Sequence, residues 1–151
     1  MERFFIIFYM NSRYLAIDYG EKRVGLALSD PTRTIAQSLE TIVYQSRKNL
    51  IAILKEIISQ QNVKKIILGL PLTMKGSDSE KTIDVRKFGA ELENQIDIPL
   101  VFFDERLTSI QAQQIIRQFG KKPSKHRAKI DQIAAGILLQ TYLDQEKLSG
   151  R

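Results

Sequence analysis

Three strand-length apolar segments open this chain with no helical spacing among them, and from residue 46 onward helix and strand take turns. That order constrains the fold more than any single residue does. Tyr14-Leu15-Ala16-Ile17-Asp18 reads as a fully buried strand, Tyr19-Gly20-Glu21-Lys22 as a tight turn, and Arg23-Val24-Gly25-Leu26-Ala27-Leu28-Ser29 as the returning strand of a hairpin. Asp30-Pro31-Thr32 reads as a turn, and Leu39-Glu40-Thr41-Ile42-Val43-Tyr44 alternates as a third strand should. The period then changes. Ser46 is a fitting N-cap for a helix with Leu50, Ile51, Leu54, Ile57 and Ile58 on one face. Lys65-Ile66-Ile67-Leu68-Gly69-Leu70 is a short buried strand stopped by Pro71. Ser77-Asp78-Ser79-Glu80 has capping-box spacing and predicts a helix to about Gln95. A last strand is expected over 99–103. Thr108-Ser109-Ile110-Gln111 is a second capping box, with its helix ending at Gly120. Ile130, Ile133, Ala134, Ile137 and Leu138 mark a final helix that Asp131 opens.

The order βββαβαβαα predicts an α/β fold: a five-stranded mixed sheet, order 3-2-1-4-5, with strand 2 antiparallel and helices on both faces. Residues 14–146 are expected to form one domain, with 1–13 an N-terminal extension and 147–151 a C-terminal tail. The apolar run Phe4-Phe5-Ile6-Ile7-Phe8-Tyr9-Met10 falls short of the roughly 20 residues a bilayer span needs. It also lacks the basic region and cleavage site of a signal peptide. It reads as a start-site extension, an arm or an extra edge strand, and the chain is expected in the cytoplasm. Cysteine is absent and His126 is the only histidine, which excludes thiolate chemistry and multi-histidine metal sites.

Asp18 and Glu105 each end an apolar run, and right-handed crossovers would put both at the carboxyl edge of the sheet, where open α/β sheets bind ligands. Strands one and five flank strand four and so lie about 9.6 Å apart. Two hard metal ions about 4 Å apart, with ligands about 2.1 Å beyond, span roughly 8 Å, so inward-reaching carboxylates can close the gap. Asp131 can supply a third wall, and Ala134-Ala135-Gly136 is small enough for close packing on the sheet. Three converging carboxylates repel unless a cation lies between them. A hard divalent ion is the natural one, with phosphoryl or phosphodiester chemistry to match. Read singly, Asp18 is also a plain turn aspartate, and Asp131 a helix-start residue favoured by the dipole.

The net charge is +6 and the pI about 9.6. From Arg106 to Ile130 there are seven basic residues and no acid: Arg106, Arg117, Lys121, Lys122, Lys125, Arg127 and Lys129. A polyanionic partner, most simply nucleic acid, is the direct reading; a solvated basic loop is the bland one. Arg23 and Arg106 stand next to the acids, where they can hold a phosphate or simply offset carboxylate charge. Asp104 is a second candidate ligand, but neighbouring side chains of a strand face opposite ways, which favours Glu105.

Together these residues resemble a known family. Asp18-Tyr19-Gly20 with Arg23-Val24-Gly25, Ser29-Asp30-Pro31, Gly69-Leu70-Pro71, Asp104-Glu105-Arg106-Leu107-Thr108 and Asp131-Gln132-Ile133-Ala134-Ala135 are similar to the YqgF, or RuvX-like, family. Its members are described as Holliday junction resolvases and as pre-16S rRNA nucleases. The resemblance covers 14–143. It implies an RNase H-like fold, and Asp18, Glu105 and Asp131 as catalytic acids binding Mg²⁺ or Mn²⁺, with two metals expected. The expected activity is metal-dependent hydrolysis of phosphodiester bonds in structured nucleic acid: 5′-end processing of pre-16S rRNA, resolution of branched DNA, or both. Expected partners are that nucleic acid and ribosomal particles, with no membrane. Expected backbone contacts are Arg23, Arg106, Lys121, Lys122, Lys125, Arg127 and Lys129. Two other readings share these features. One is a non-catalytic RNA-binding factor in ribosome assembly or transcription. The other is an ATP-using phosphotransferase of the actin and sugar-kinase type, which normally needs two such lobes where this chain has one.

Overall fold

Side-chain alternation along the strands sorts this chain into two layers on one sheet. In β1 (Arg13–Tyr19), Leu15, Ile17 and Tyr19 point to one face, and Tyr14 and Ala16 to the other. β2 (Arg23–Ser29) divides likewise, with Val24, Leu26 and Leu28 on the first face and Ala27 on the second. The computed structural model describes residues 11–108 and 127–150, with Gln114 and Gln118 between them. The apolar run 4–10, most of the second capping-box helix, and Arg117, Lys121, Lys122, Lys125 and His126 lie outside the described residues, as do the side chains of Arg127 and Lys129.

After β2 come β3 (Ala36–Ser38), β4 (Ile42–Val43), α1 (Arg47–Gln60), β5 (Val63–Leu70), α2 (Glu80–Glu93) and β6 (Leu100–Asp104). A single 3₁₀ turn, Glu105–Leu107, follows β6, and α3 runs over Arg127–Leu148. The sheet order is β3-β2-β1-β5-β6, with β4 also paired to β2. β2 is antiparallel to β1, and β1, β5 and β6 are parallel. This is the expected mixed sheet with one difference: of the third strand predicted over Leu39 to Tyr44 only β4 forms, and β3 lies ahead of it, a sixth strand beyond the five expected. Leu39 and Ile42 both pack into the core, and their spacing of three cannot be met by one flat strand of period two. The chain breaks between them, and β3 and β4 both pair with β2.

The first face is covered by α1 and α2. Ser46 caps α1 by accepting from the Asn49 N–H at 3.1 Å, and Leu50, Ile51 and Leu54 are buried beneath. The capping box of α2 lies two residues later than predicted: Ser79 accepts from Thr82 N–H, and Thr82 Oγ1 accepts from Ser79 N–H at 3.0 Å. Ser77 is used elsewhere, 2.6 Å from the Thr73 hydroxyl. Val85, Phe88 and Leu92 of α2 complete this core. The second face belongs to α3, whose Ala135, Leu138, Leu139 and Leu143 meet Tyr14, Ala16, Ala27, Ile67 and Phe103. Small residues bring this helix close. Gly136 lies on the Ser38 hydroxyl, which donates to the Gln132 carbonyl at 2.8 Å. α3 begins a turn earlier than expected, so Asp131 stands in its second turn rather than opening it.

Candidate active site

Asp18 is the last even-numbered residue of β1 and so shares the α3 face with Tyr14 and Ala16. Parallel β5 between β1 and β6 sets the second acid at the same edge. Gly69 is in register with Phe103, and Glu105 follows β6 at the start of the 3₁₀ turn. Gly69 clears the space for it: a Cβ there would stand 2.7 Å from Glu105 Oε1 and 3.3 Å from its Cγ. Glu105 thereby reaches over β5 and hydrogen-bonds Asp18.

Two carboxylates in contact cannot both be charged without cost. Burial first, and the neighbouring Asp18 charge second, push the Glu105 carboxyl up to about 7. Burial also raises Asp18. Glu105 therefore keeps its proton near neutrality and donates it to Asp18. One positive charge opposes both shifts, that of Lys81 in the first turn of α2.

Asp131 approaches the pair from α3. Gly25, the residue across from Asp18 in the β1–β2 ladder, lies directly under the Asp131 backbone; a Cβ there would be 2.2 Å from the Asp131 carbonyl oxygen. The Asp131 carboxylate faces Arg23 Nε at 3.7 Å. Arg23 thus offsets carboxylate charge, one of its two expected roles. Among the described residues no group of three His, Cys, Asp or Glu gathers closely enough to hold a metal ion. The fold joins Asp18 to Glu105 and sets Asp131 beside them, one strand over.

Asp104 and Arg106 use each other. Asp104 caps the 3₁₀ turn by accepting from Arg106 N–H at 2.9 Å, and its carboxylate pairs with the Arg106 guanidinium at 2.7 Å. That guanidinium holds the Asp104 carboxyl below its ordinary range. Arg106 also donates to the Met74 carbonyl at 3.3 Å and lies under Gly76, whose φ of +82° suits glycine. β6 ends at Asp104, which turns to Arg106, and Glu105, the first residue of the 3₁₀ turn, faces Asp18. Arg106 is engaged in holding the 72–78 loop. Asp30 is a turn residue, accepting from Thr34 N–H at 2.7 Å and Ile35 N–H at 2.8 Å.

Beside the pair opens a cleft of about 750 Å³, lined by the turn at 19–23, Glu80, Lys81, Asp84, Val85 and Asp131. Its wall is supported from below: Tyr19 stacks on Phe88 at 4.1 Å, and the Tyr44 hydroxyl donates to the Gly20 carbonyl at 2.5 Å. Arg47 donates to the Tyr19 hydroxyl at 3.1 Å and pairs with Asp84 and Glu91. Nothing local in the sequence marks Lys81 or this support, and only the fold brings them to the cleft.

A family model for RuvX, described as a Holliday junction resolvase, matches residues 12–145. The chain belongs to this family. A relative from Chloroflexus aurantiacus, named "Putative pre-16S rRNA nuclease", is 41% identical over 133 residues, covering 88% of this chain and 87% of the relative. A relative of the same name from a Roseiflexus species is 42% identical over 135 residues, covering 89% and 96%. Among solved structures, Thermus thermophilus RuvC in complex with a Holliday junction substrate superposes with a TM-score of 0.55 at 11% identity, covering 89% of this chain and 96% of RuvC. The yeast mitochondrial Holliday junction resolvase gives 0.53 at 12% identity, covering 93% and 82%. These distant likenesses concern the fold, which is the RNase H-like fold of RuvC.

Proposed function

We propose that this RuvX-family chain is a divalent-metal-dependent endonuclease that hydrolyses phosphodiester bonds in structured nucleic acid. The observation that carries the reading is the Asp18–Glu105 pair: two half-buried carboxyls brought together at the ligand edge of the sheet over Gly69, where burial favours a proton on Glu105. Such a pair fits a hard cation, which would take the place of that proton between all-oxygen donors. Mg²⁺ or Mn²⁺ would be held by Asp18 and Glu105, with Asp131 the third acid at hand. When bound, the ion supplies Lewis acidity at the phosphate and an acidified water. The charge of the cleft agrees. Its lining holds four acids, Glu21, Glu80, Asp84 and Asp131, against three cations, Lys22, Arg23 and Lys81. An added cation would ease the entry of a polyanion into such a cleft.

The chain's own residues divide the work. Asp18 and Glu105 are the metal-binding acids. Arg23 steadies Asp131. Asp104 and Arg106 fix the turn from which Glu105 projects, and the Tyr19–Tyr44–Arg47 support fixes the turn that follows Asp18. Lys121, Lys122, Lys125, Arg127 and Lys129 hold the nucleic acid backbone through phosphates, without reading bases. The relatives' name makes precursor 16S rRNA the first substrate to try, and the fold shared with RuvC makes branched DNA the second. Work on precursor rRNA would place the protein in the cytoplasm, beside ribosomal particles. No helix among the described residues is long and apolar enough to cross a membrane.

One observation favours the second reading, a non-catalytic RNA-binding factor: only two of the three acids are in mutual contact. Purified protein incubated with a 5′-extended 16S rRNA fragment and with a synthetic four-way DNA junction separates the two. A nuclease cuts at least one probe with Mg²⁺ or Mn²⁺, stops with EDTA, and is inactive as Asp18→Asn. A binding factor retains both probes and cuts neither.

A further inference from the structure

We propose that Lys81 is the residue that holds the reacting phosphate, its ammonium donating to a non-bridging oxygen beside the acid pair. The proposal deepens the nuclease reading and rests on it. Lys81 is exposed and lines the same cleft as Arg23 and Asp131. Its backbone is fixed relative to Glu105 by a short chain of links. The hydroxyl of Thr82, the next residue, donates to the Pro71 carbonyl at 2.5 Å. Pro71 follows Leu70, which is in register with Asp104, the residue before Glu105. The Ser79–Thr82 capping box holds the same turn from its other side.

The neighbouring arginines are committed to protein acids, and Lys22, the other lysine of the cleft, is not among the charges acting on the acid pair. Arg23 faces Asp131 at 3.7 Å, Arg47 pairs with Asp84 and Glu91, and Arg106 pairs with Asp104. Lys81 enters none of the ion pairs found within 4 Å among the described residues, yet its charge acts on Asp18 and Glu105 together. A lysine ammonium is a compact point charge with three rotatable donors, suited to a single phosphate oxygen in a narrow place. Its seat in the first turn of a 14-residue helix adds the partial positive charge of the helix start. In a cleft where acids outnumber cations, this is the cation that an incoming phosphodiester meets next to the carboxylates.

Lys81→Met removes the charge and keeps the length; Lys81→Arg keeps the charge. The probes are a 5′-extended 16S rRNA fragment and a synthetic four-way DNA junction. Binding is measured in EDTA across a salt titration, and cleavage under single-turnover conditions in Mg²⁺. In Lys81→Met the slope of log affinity against log salt is expected to fall by about 0.7–0.9, the share of a single neutralised phosphate. Its cleavage rate is expected to fall on the order of 100-fold, as when one transition-state donor is removed. Lys81→Arg is expected to keep the slope and most of the rate. An unchanged slope in Lys81→Met overturns the proposal. So does a reduced slope at wild-type rate, which would make Lys81 a remote backbone contact. Wild-type protein that binds both probes and cuts neither defeats the nuclease reading instead, and the slope alone then decides whether Lys81 touches phosphate. Lys81→Gln repeats the measurement should the methionine variant unfold.

Discussion

A methyl group at Gly25 and one at Gly69 should fail in opposite ways, because the atoms they meet differ in freedom. At Gly25 the added Cβ would lie 2.2 Å from the Asp131 carbonyl oxygen and 2.7 Å from its carbonyl carbon. Ordinary carbon–oxygen contacts are about 3.3–3.6 Å, so backbone of α3 must retreat by about 1 Å. That helix carries Leu138, Leu139 and Leu143 in its core and cannot tilt without loosening them. Overpacking of this kind costs about 1–3 kcal/mol, and for a domain of this size each kcal/mol lowers Tm by about 2–4 °C. Gly25→Ala is therefore expected to lose roughly 2–12 °C, and Asp131 moves with the helix. At Gly69 the nearest atom is the tip of a side chain, Glu105 Oε1 at 2.7 Å, with Leu138 Cδ2 at 3.1 Å. Glu105 can rotate away. Gly69→Ala is expected to cost about 1 kcal/mol or less, while a displacement of about 1 Å at a reacting group can cost 100-fold in rate. Thermal unfolding by circular dichroism without metal, paired with single-turnover cleavage in Mg²⁺, reads both effects. A Gly25→Ala protein with unchanged Tm would refute the close seating of α3 on β2. A Gly69→Ala protein with full cleavage would refute the placement of Glu105 over β5.

The acid pair also sets a pH window. Glu105 loses its proton near 4.5 when unfolded and near 7 when folded, so between those values the folded chain holds one more proton and metal-free stability falls as pH rises. Tm followed from pH 4 to 9 should decline across that window in the wild type and decline less in Glu105→Gln; parallel curves would contradict it. Ser79→Ala removes the acceptor for Thr82 N–H and should cost about 1 kcal/mol; an unchanged Tm would show the box to be idle. Neutralising Lys121 and Lys122 should flatten the salt dependence of binding by about 0.7–0.9 for each lysine that holds a phosphate, with little change in single-turnover rate at saturating protein. An unchanged slope would make them solvated surface.

Much of this site could be read along the chain because the physics that places it is local. Asp18 and Glu105 terminate apolar runs, and Glu105, first in the 3₁₀ turn that follows β6, faces Asp18 while Asp104 caps that turn. Gly69 and Gly25, small residues inside strands, mark the places where a side chain and a helix backbone come close. The features that escape a sequence reading depend on residues distant along the chain. The predicted third strand shortens to β4, with β3 ahead of it, because Leu39 and Ile42 both pack into the core at a spacing one flat strand does not meet. The capping box falls at Ser79 because Thr82 is tied to Pro71, while Ser77 closes the loop with Thr73. Arg106, beside an acid in sequence, is taken up by Asp104. Lys81 carries no pattern of its own, and only the crossover from β5 into α2 brings it to the carboxylates.

The central claim is that Asp18 and Glu105 form a cation site closed by a proton when the cation is absent. Titration calorimetry of Mn²⁺ into the protein at pH 6, in buffers of different ionisation enthalpy, measures both the binding and the protons it releases. The wild type should bind Mn²⁺ and release about one proton for each ion that displaces the one on Glu105, Glu105→Gln should bind far more weakly with no such release, and Asp18→Asn should not bind. Mn²⁺ binding by Asp18→Asn with wild-type affinity, or by the wild type with no proton released, would contradict the account.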